Sequence, residues 1–236
     1  IFFNLLALSF SNSKDTKSKN KDNLSTSIQE MGTTFIKLGQ FLATRPDIIG
    51  EKLSKELESL QDKLPPFSKK DAEKIIIENL GQSNFDDIID LSEPIAAASI
   101  AQVHKAKIKE DNIIKNVAIK VLRPNIKKIF NDEIDAIMLL AYIIESLISK
   151  TKRLKLIEVV FLFKEITNHE MDLRFEAAAA NEYAENTKND LGFFVPKIYW
   201  NFTSESVLTL DWVDGVSIRE KDLLKEKNIE TSKIAT

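Results

Sequence analysis

The chain has 236 residues and a formal net charge of −3, with 43% apolar and 29% charged residues. This composition is normal for a globular protein, and the lysines are spread along the chain, so a nucleic-acid-binding surface is not expected. The absence of cysteine excludes disulfides and cysteine-ligated zinc, and only two histidines occur, His104 and His169, both of which we interpret as structural.

The N-terminal 23 residues predict no folded element. The opening ten, IFFNLLALSF, are mostly apolar but too short to cross a bilayer, which takes about 20 apolar residues. Residues 11–23 are polar, so we assign 1–23 to a linker and an incomplete N-terminus. Because the chain begins with Ile1 and ends in polar sequence, we expect a fragment of a longer protein, with any membrane segment outside it.

Helices are predicted throughout residues 24–92. Apolar residues at steps of three and four predict the first helix over 24–45. The second stops at Pro65-Pro66. The third begins at Ser68, an N-cap type of residue, and ends at Gly81. The second helix is expected to carry Leu53, Leu57, Leu60 and Leu64.

Two polar residues of the first helix, Lys37 and Gln40, are neighbours at i and i+3, roughly opposite its apolar stripe. Exposure to solvent explains such a pair. Contact with a second polar surface of the protein explains it equally well, and the pattern leaves both explanations open.

The periodicity changes after residue 92. Strands are predicted over 94–108 and 116–122, with a hairpin loop, KIKEDNIIKN, between them. Helical patterns follow over about 126–148 and 156–187, and strand character returns over 195–213, with a turn at SES. This order fits a five-stranded antiparallel sheet carrying a helix, as in the small lobe of a protein kinase.

The stretch AAASIAQV, at 96–103, aligns with the kinase nucleotide loop G-x-G-x-x-G-x-V. The three glycine positions fall on Ala96, Ala98 and Ala101, and the valine falls on Val103. Alanine tolerates a positive φ poorly, so we expect a stiffer loop and an altered nucleotide geometry. The alternative is a small-residue strand packed under a helix.

A lysine, Lys120, follows Val103 by 17 residues, the length of one hairpin. In the predicted strand Val117, Ile119 and Val121 point to a core, and Lys120 points the other way. A kinase strand supplies such a lysine to the nucleotide phosphates. Taken alone, the pattern favours a lysine exposed on an edge strand.

A lysine in this role pairs with a glutamate on a helix, for which Glu176 is the candidate. Most helix glutamates are simply exposed. Glu170 and Asp172 lie two apart on the predicted helix, a spacing that argues weakly against a shared ligand. Solvated helix charges explain that pair on spacing alone.

Six segments in this order resemble the UbiB family of atypical protein-kinase-like proteins, also called ABC1-type or aarF-domain proteins. They cover about residues 24–220. The segments are TFIKLGQFLATRPDIIG, LQDKLPPF, EPIAAASIAQVHKA, VAIKVLRPNI, EMDLRFEAAAANEY and VLTLDWVDG.

The resemblance implies an α+β fold, a protein-kinase-like small lobe with a helical extension in front of it. The extension would span 24–92 and carry the K-x-G-Q signature, and the small lobe would span 93–213. The lobe would contain a helical insertion at 126–150. Residues 214–236 would begin a large lobe that is otherwise missing.

The resemblance also implies the site residues. Lys120 would hold nucleotide phosphate with Glu176 as its partner, and Asp211 and Val213 would mark the hinge that holds adenine. Lys37 and Gln40 of the signature would cover the cleft and meet the E-x-D residues, with Lys37 pairing with Glu170. Nucleotide contacts would come from Ala96, Ala97, Ala98, Ser99, Ala101, Val103, Lys120, Asp211 and Val213, and extension contacts from Lys37, Gln40, Glu170 and Asp172.

The function implied is that of an ATPase or small-molecule kinase that supports ubiquinone (coenzyme Q) biosynthesis. ATP or ADP would be the cofactor, and the partners would be quinone-biosynthesis proteins or isoprenoid quinone precursors. The expected location is the cytoplasmic face of the bacterial inner membrane, or its organellar equivalent. Membrane attachment would use a missing C-terminal segment, so the fragment itself is expected to be soluble.

Two kinase motifs are not found, the catalytic loop H-x-D-x-x-x-x-N and a D-F-G-like metal site. Mg²⁺ is therefore expected only in the longer protein, with no metal site in this fragment, which we expect to be inactive alone. A non-catalytic pseudokinase scaffold for quinone-biosynthesis enzymes is the alternative. An authentic protein kinase is a third hypothesis, against which the alanine loop and the extension argue.

Overall fold

The computed structural model describes residues 27–58, 60, 64–190, 192–218 and 220–229, without the side chains of Lys150 and Lys221. The segments predicted over 1–23 lie outside these residues. The strands are β1 (Ile88–Ile89), β2 (Pro94–Ala97), β3 (Ala101–Glu110), β4 (Ile113–Leu122) and β5 (Val207–Asp211). The helices are α1 (Thr33–Ala43), α2 (Pro46–Ile49), α3 (Glu51–Leu57), α4 (Lys69–Leu80), α5 (Gln82–Asp86), α6 (Ile126–Leu147), α7 (Leu156–Glu170), α8 (Leu173–Asn186) and α9 (Lys221–Glu226).

The five strands form one antiparallel sheet in the order β1-β3-β4-β5, with β2 also paired to β3. This confirms the predicted α+β class and the kinase-like small lobe. The alternation predicted for β4 is also present, because Val117, Ile119 and Val121 are fully buried on one face. Lys120 points to the other face.

The sheet is covered on both faces. Helix α4 packs its buried residues Ala72 and Ile76 against the face that carries Ile119. The opposite face packs under α6, α7 and α8, and Leu208 of β5 belongs to that larger cluster. None of the described helices combines the length and the apolar character that a membrane crossing requires.

The predicted loop KIKEDNIIKN is wrong, because most of it continues the β3–β4 ladder. Only Asp111 and Asn112 lie outside the strands, with φ values of 50° and 63°. A two-residue turn with both residues left-handed matches the twist of the flanking strands, and Asp and Asn tolerate this conformation. The hydrogen bonds between β3 and β4 are made by backbone groups. The polar side chains of this segment therefore suggested a loop, although its backbone is paired as strand.

The first two predicted helices are each interrupted. A helical turn at 27–30 is separated from α1 by Gly32, whose φ is 104°. The chain turns again at Gly50, and α3 ends at Leu57, short of the predicted stop at Pro65-Pro66. The third helix is as predicted, since Ser68 Oγ accepts a hydrogen bond from the Asp71 N–H at 3.1 Å.

The helix predicted over 156–187 is two helices that meet at Met171 and Asp172. The Asp172 side chain caps α8 by accepting a hydrogen bond from the Arg174 N–H at 3.1 Å. The strand region predicted over 195–213 is also shorter. It reduces to β5, an isolated bridge at Ile198 and a 3₁₀ turn at Trp200–Phe202.

The N-terminal extension has a small core of its own. Its fully described buried residues are Ile28, Ile36, Leu57 and Leu60. Helix α1 also presents residues to the main cluster under α6 and α7, including Leu38. The extension therefore lies against the helices that border the sheet.

Candidate functional site

A cleft of about 380 Å³ opens where α1, the β2–β3 loop, β4 and the α7–α8 junction meet. Six of its eight lining residues are predicted site residues, and the other two are Ile100 and His169. The predicted residues at the cleft are Lys37, Ala98, Ala101, Lys120, Glu170 and Glu176. Ala96, Ala97, Ser99, Val103, Gln40, Asp172, Asp211 and Val213 do not line it.

The predicted contact between Lys120 and Glu176 is present. Lys120 Nζ lies 2.7 Å from Glu176 Oε2, and their side chains are 26% and 50% exposed. Strand pairing places Lys120 opposite Val103 on one side and Leu208 on the other. Glu176 stands in the first turn of α8, beside the fully buried Ala177. The pair is thus anchored by the sheet at one end and by a packed helix at the other.

The alanine loop is a tight hairpin between β2 and β3. The Ala98 N–H donates to the Ala101 carbonyl at 2.8 Å, which leaves Ser99 and Ile100 as the two loop residues. Throughout residues 94–103, all of them described, no φ is positive. Alanine therefore fits without strain, because no position needs the left-handed backbone that favours glycine.

Arg123 is a site residue that the sequence reasoning missed. Its guanidinium donates to the Ala98 carbonyl from Nε at 3.1 Å and from Nη2 at 2.8 Å. Nη2 also donates to the Pro65 carbonyl at 3.0 Å. The side chain thus ties the alanine loop to the segment between α3 and α4. An arginine after a buried strand gives no sequence signal of this contact.

The extension reaches the cleft through Lys37. Its Nζ lies 2.7 Å from Glu170 Oε2, with side-chain exposures of 17% and 43%. Of the two explanations left open for Lys37, contact with a polar surface is therefore the one observed.

Asp172 does not share this contact with the extension. Its carboxylate accepts hydrogen bonds from the Arg174 guanidinium at 2.9 and 2.6 Å. These bonds hold the pKa of Asp172 below its usual value. The two acids of the E-x-D stretch therefore have different roles, because the chain bends between them.

The predicted hinge residues lie at the end of β5, away from the lining of the cleft. The Tyr199 hydroxyl donates to Asp211 Oδ1 at 2.6 Å, and burial, together with that carboxylate, raises the pKa of Tyr199. Val213 is 47% exposed. The Asp211 side chain is thus engaged within the protein, and the backbone N–H groups of Asp211 and Trp212 donate to the Lys197 and Asn116 carbonyls, each at 3.0 Å.

His104 is structural, as predicted. Its ring is fully buried, with Nδ1 2.8 Å from the Ser92 carbonyl and Nε2 2.9 Å from the Gln102 amide nitrogen. The carbonyl requires a proton on Nδ1, so Nε2 accepts from Gln102. Burial lowers the pKa of His104, consistent with a neutral ring. His169 lines the cleft, and its structural role stays a prediction.

The cleft combines two ammonium groups with two carboxylates. Lys37 and Lys120 are each oriented by an acid and keep further N–H donors, so they suit an anionic ligand such as a phosphate chain. Within the described ranges, no group of three or more His, Cys, Asp or Glu side chains is arranged to hold a metal ion.

Known proteins resemble this chain over most of its length. The family described as "ABC1 atypical kinase-like domain" matches residues 59–236. "Probable protein kinase UbiB" of Marinobacter nauticus is 34% identical over 215 residues, which is 91% of this chain and 39% of the relative. The protein of the same name from Cellvibrio japonicus is 32% identical over 232 residues, which is 98% of this chain and 42% of that relative. The chain thus spans about two fifths of the length of these curated relatives.

Proposed function

Because the chain belongs to the ABC1 atypical kinase-like family, we propose that it is the small-lobe region of an ATP-binding atypical kinase or ATPase. Relatives that carry the name "Probable protein kinase UbiB" support a kinase-type assignment. We extend the proposal to support of ubiquinone biosynthesis. Since the relatives are much longer, the activity, acceptor and partners of the whole protein all belong to this proposal.

The observation that carries the proposal is the Lys120–Glu176 ion pair beside the alanine loop. An ion pair of this kind orients a lysine ammonium toward nucleotide phosphates in kinases. The cleft volume of about 380 Å³ lies within the range of about 300–1,000 Å³ found for small-ligand sites. Charge and size therefore both fit a nucleotide.

The proposal gives each part of the cleft a role. Lys120 binds phosphate oxygens, Glu176 holds its ammonium in place, and the loop around Ala98 and Ala101 covers the phosphates. The backbone of 211–213 holds adenine. Mg²⁺ would be bound outside the described residues, in the longer protein.

The proposed setting is a membrane that contains isoprenoid quinone precursors. The partners would be those precursors or the enzymes that process them, at the cytoplasmic face of a bacterial inner membrane or its organellar equivalent. This part of the proposal rests on the family to which the chain belongs.

A non-catalytic scaffold is the second candidate function. The observation that favours it is the Lys37–Glu170 ion pair, which connects α1 to the cleft. A helix in this position restricts access by a protein substrate. The same cleft could then bind nucleotide as a structural ligand without turnover.

The test is titration of the purified protein with ATP, with hydrolysis measured in parallel. Lys120→Met should weaken ATP binding at least about tenfold, because a hydrogen bond to a charged group is lost. Lys74→Met is the control, since that lysine is 73% exposed on α4. Unchanged affinity in Lys120→Met would remove the nucleotide proposal. ATP binding without hydrolysis in the full-length protein would favour the scaffold.

A further inference from the structure

The outer end of the helical hairpin α6–α7 exposes an unusual number of large apolar side chains. We call residues 139–161 the hairpin tip. On α6, Leu139 and Tyr142 are each 62% exposed and Leu147 is 78% exposed. On α7, Phe161 is 58% exposed. A helix that is apolar on nearly all sides is normally covered, so this end of the hairpin lacks a partner within the described chain.

Three of these side chains share one face of the hairpin. The Asp135–Lys164 ion pair, at 3.6 Å, marks a face that both helices contribute to. Leu139 and Tyr142 follow Asp135 at i+4 and i+7, and Phe161 precedes Lys164 by three residues, so all three lie on the marked side. The apolar surface is therefore continuous from α6 to α7, toward the connection between them.

The connection between the helices is strongly basic. It contains Lys150, Lys152, Arg153 and Lys155, and no acidic residue occurs between Glu145 and Glu158. Glu145 accepts a hydrogen bond from the Ile157 N–H, and Glu158 pairs with Lys155.

Lys152, Arg153 and Lys155 are all exposed, and Lys155 is the one that pairs with a carboxylate among the described residues. Lys152 and Arg153 have no carboxylate within ion-pair distance among the described residues. In a chain of net charge −3, this concentration of positive charge is local to the hairpin tip.

We propose that the hairpin tip docks on the surface of a lipid bilayer that contains anionic phospholipids. Leu147, Tyr142 and their apolar neighbours enter the boundary between headgroups and acyl chains, and Lys152 and Arg153 contact headgroup phosphates. Apolar burial combined with attraction to anionic lipid is the physical basis of interfacial binding. Tyrosine suits this boundary because its ring is apolar and its hydroxyl is polar.

The charge pattern favours a bilayer over a second copy of the chain. A two-fold symmetric dimer through the hairpin tip would bring the same cations of both copies together. The β3–β4 turn offers a weaker alternative surface. It exposes Ile113 and Ile114. Residues 107–115 carry three lysines against the two acids Glu110 and Asp111, a smaller excess of positive charge than the four cations and no acid of residues 146–157.

Vesicle co-sedimentation tests the proposal without reference to nucleotide. The protein should bind vesicles of equal parts phosphatidylcholine and phosphatidylglycerol, bind phosphatidylcholine vesicles more weakly, and dissociate as salt is added. Lys152→Gln with Arg153→Gln should weaken binding about fivefold for each cation removed. The matched control, Lys109→Gln with Lys115→Gln, removes the same charge from exposed positions on β3 and β4.

A site-specific probe locates the contact, because the chain contains no cysteine of its own. An environment-sensitive fluorophore on Leu147→Cys should shift to the blue with anionic vesicles, and one on Ile113→Cys should not. A shift at position 113 alone, equal loss of binding in the control variant, or no vesicle binding would overturn the proposal. Concentration-dependent self-association that Leu147→Ser abolishes, without vesicle binding, would instead assign the surface to a second copy. A failure of the protein to bind ATP would overturn the proposed function but would not alter the interpretation of vesicle binding.

Discussion

The sheet and the extension border the same cleft, but they are built differently. On the sheet, Lys120 stands between fully buried neighbours, with α4 covering the opposite face. In the first part of the extension, before α4, Lys37 stands on α1 beside a small cluster whose described buried residues are Ile28, Ile36, Leu57 and Leu60. Both lysines meet their carboxylates at 2.7 Å. Identical ion-pair distances can therefore belong to supports of very different strength.

Local stability follows the amount of buried apolar contact, so the extension should open at a lower free energy than the sheet. On the sheet side the cleft is then bordered by a region of high local stability, and on the extension side by a region that can unfold locally. Exposed ion pairs contribute about 0–1 kcal/mol each, so Lys37–Glu170 alone would not hold a detached extension. The following variants test this difference between the two regions.

The largest effect is expected from Ile119→Ala at the centre of β4. Ile119 is fully buried, and removal of its side-chain carbons should cost about 2–5 kcal/mol through lost burial and a cavity. Denaturant unfolding should show the loss for the whole protein. Leu139→Ala, at a position 62% exposed, is the control and should stay within about 0.5 kcal/mol. A loss confined to amides near the substitution would contradict a cooperative sheet.

A local effect is expected from Gly39→Val in α1. A Cβ at Gly39 would overlap Leu60 Cδ1, the end of a flexible side chain, so Leu60 must move and its packing in the extension must change. The cost should be about 1–3 kcal/mol, from overpacking. Hydrogen exchange should accelerate over 33–43 and remain unchanged in β3 and β4. The added change Leu60→Ala should restore part of the protection, and failure to do so would remove the packing explanation.

The link between the two regions is tested by Arg123→Met. The Ala98 carbonyl loses both donors and Pro65 loses one, at a cost of about 1–2 kcal/mol. Hydrogen exchange should rise at Ala98. Arg123→Lys should not restore protection, because lysine lacks the planar fork. Full protection with lysine would show that charge alone holds the loop.

The smallest effect is a pH dependence located in the sheet. Burial lowers the pKa of His104, so the unfolded chain binds the proton more readily than the folded one. Stability should therefore fall as the pH drops below the ordinary histidine pKa of 6.5, toward the lower folded value. A proton on Nε2 would also face the Gln102 amide group.

Unfolding curves measured at several pH values check this, with His104→Gln expected to flatten the dependence. Hydrogen exchange of the α1 amides should change little with pH, because His104 is buried in the sheet. An equal pH response in His104→Gln would assign it to other groups.

The site was only partly predictable. Lys120 and its buried neighbours follow from strand alternation. Glu176, 56 residues away, was a candidate because kinases pair such a lysine with a helix glutamate, and the family resemblance then assigned it. Asp172 was expected at the extension but caps α8, because the helix breaks before it. Arg123 was missed because it donates to the backbone carbonyl of Ala98. Every residue has such a carbonyl, so no residue type in the sequence indicates the contact.

The sequence alone determined the features that arise within a few residues. The alternation of Val117, Ile119 and Val121, the cap at Ser68 and the ordered motifs of the family are of this kind, because side-chain period and local hydrogen bonding depend on near neighbours. Tertiary structure decided where distant segments meet. The approach of Leu60 to Gly39 and the contact of Arg123 with Ala98 depend on how helices and strands are placed in space. Such contacts are set by packing of the whole fold, which local sequence does not encode.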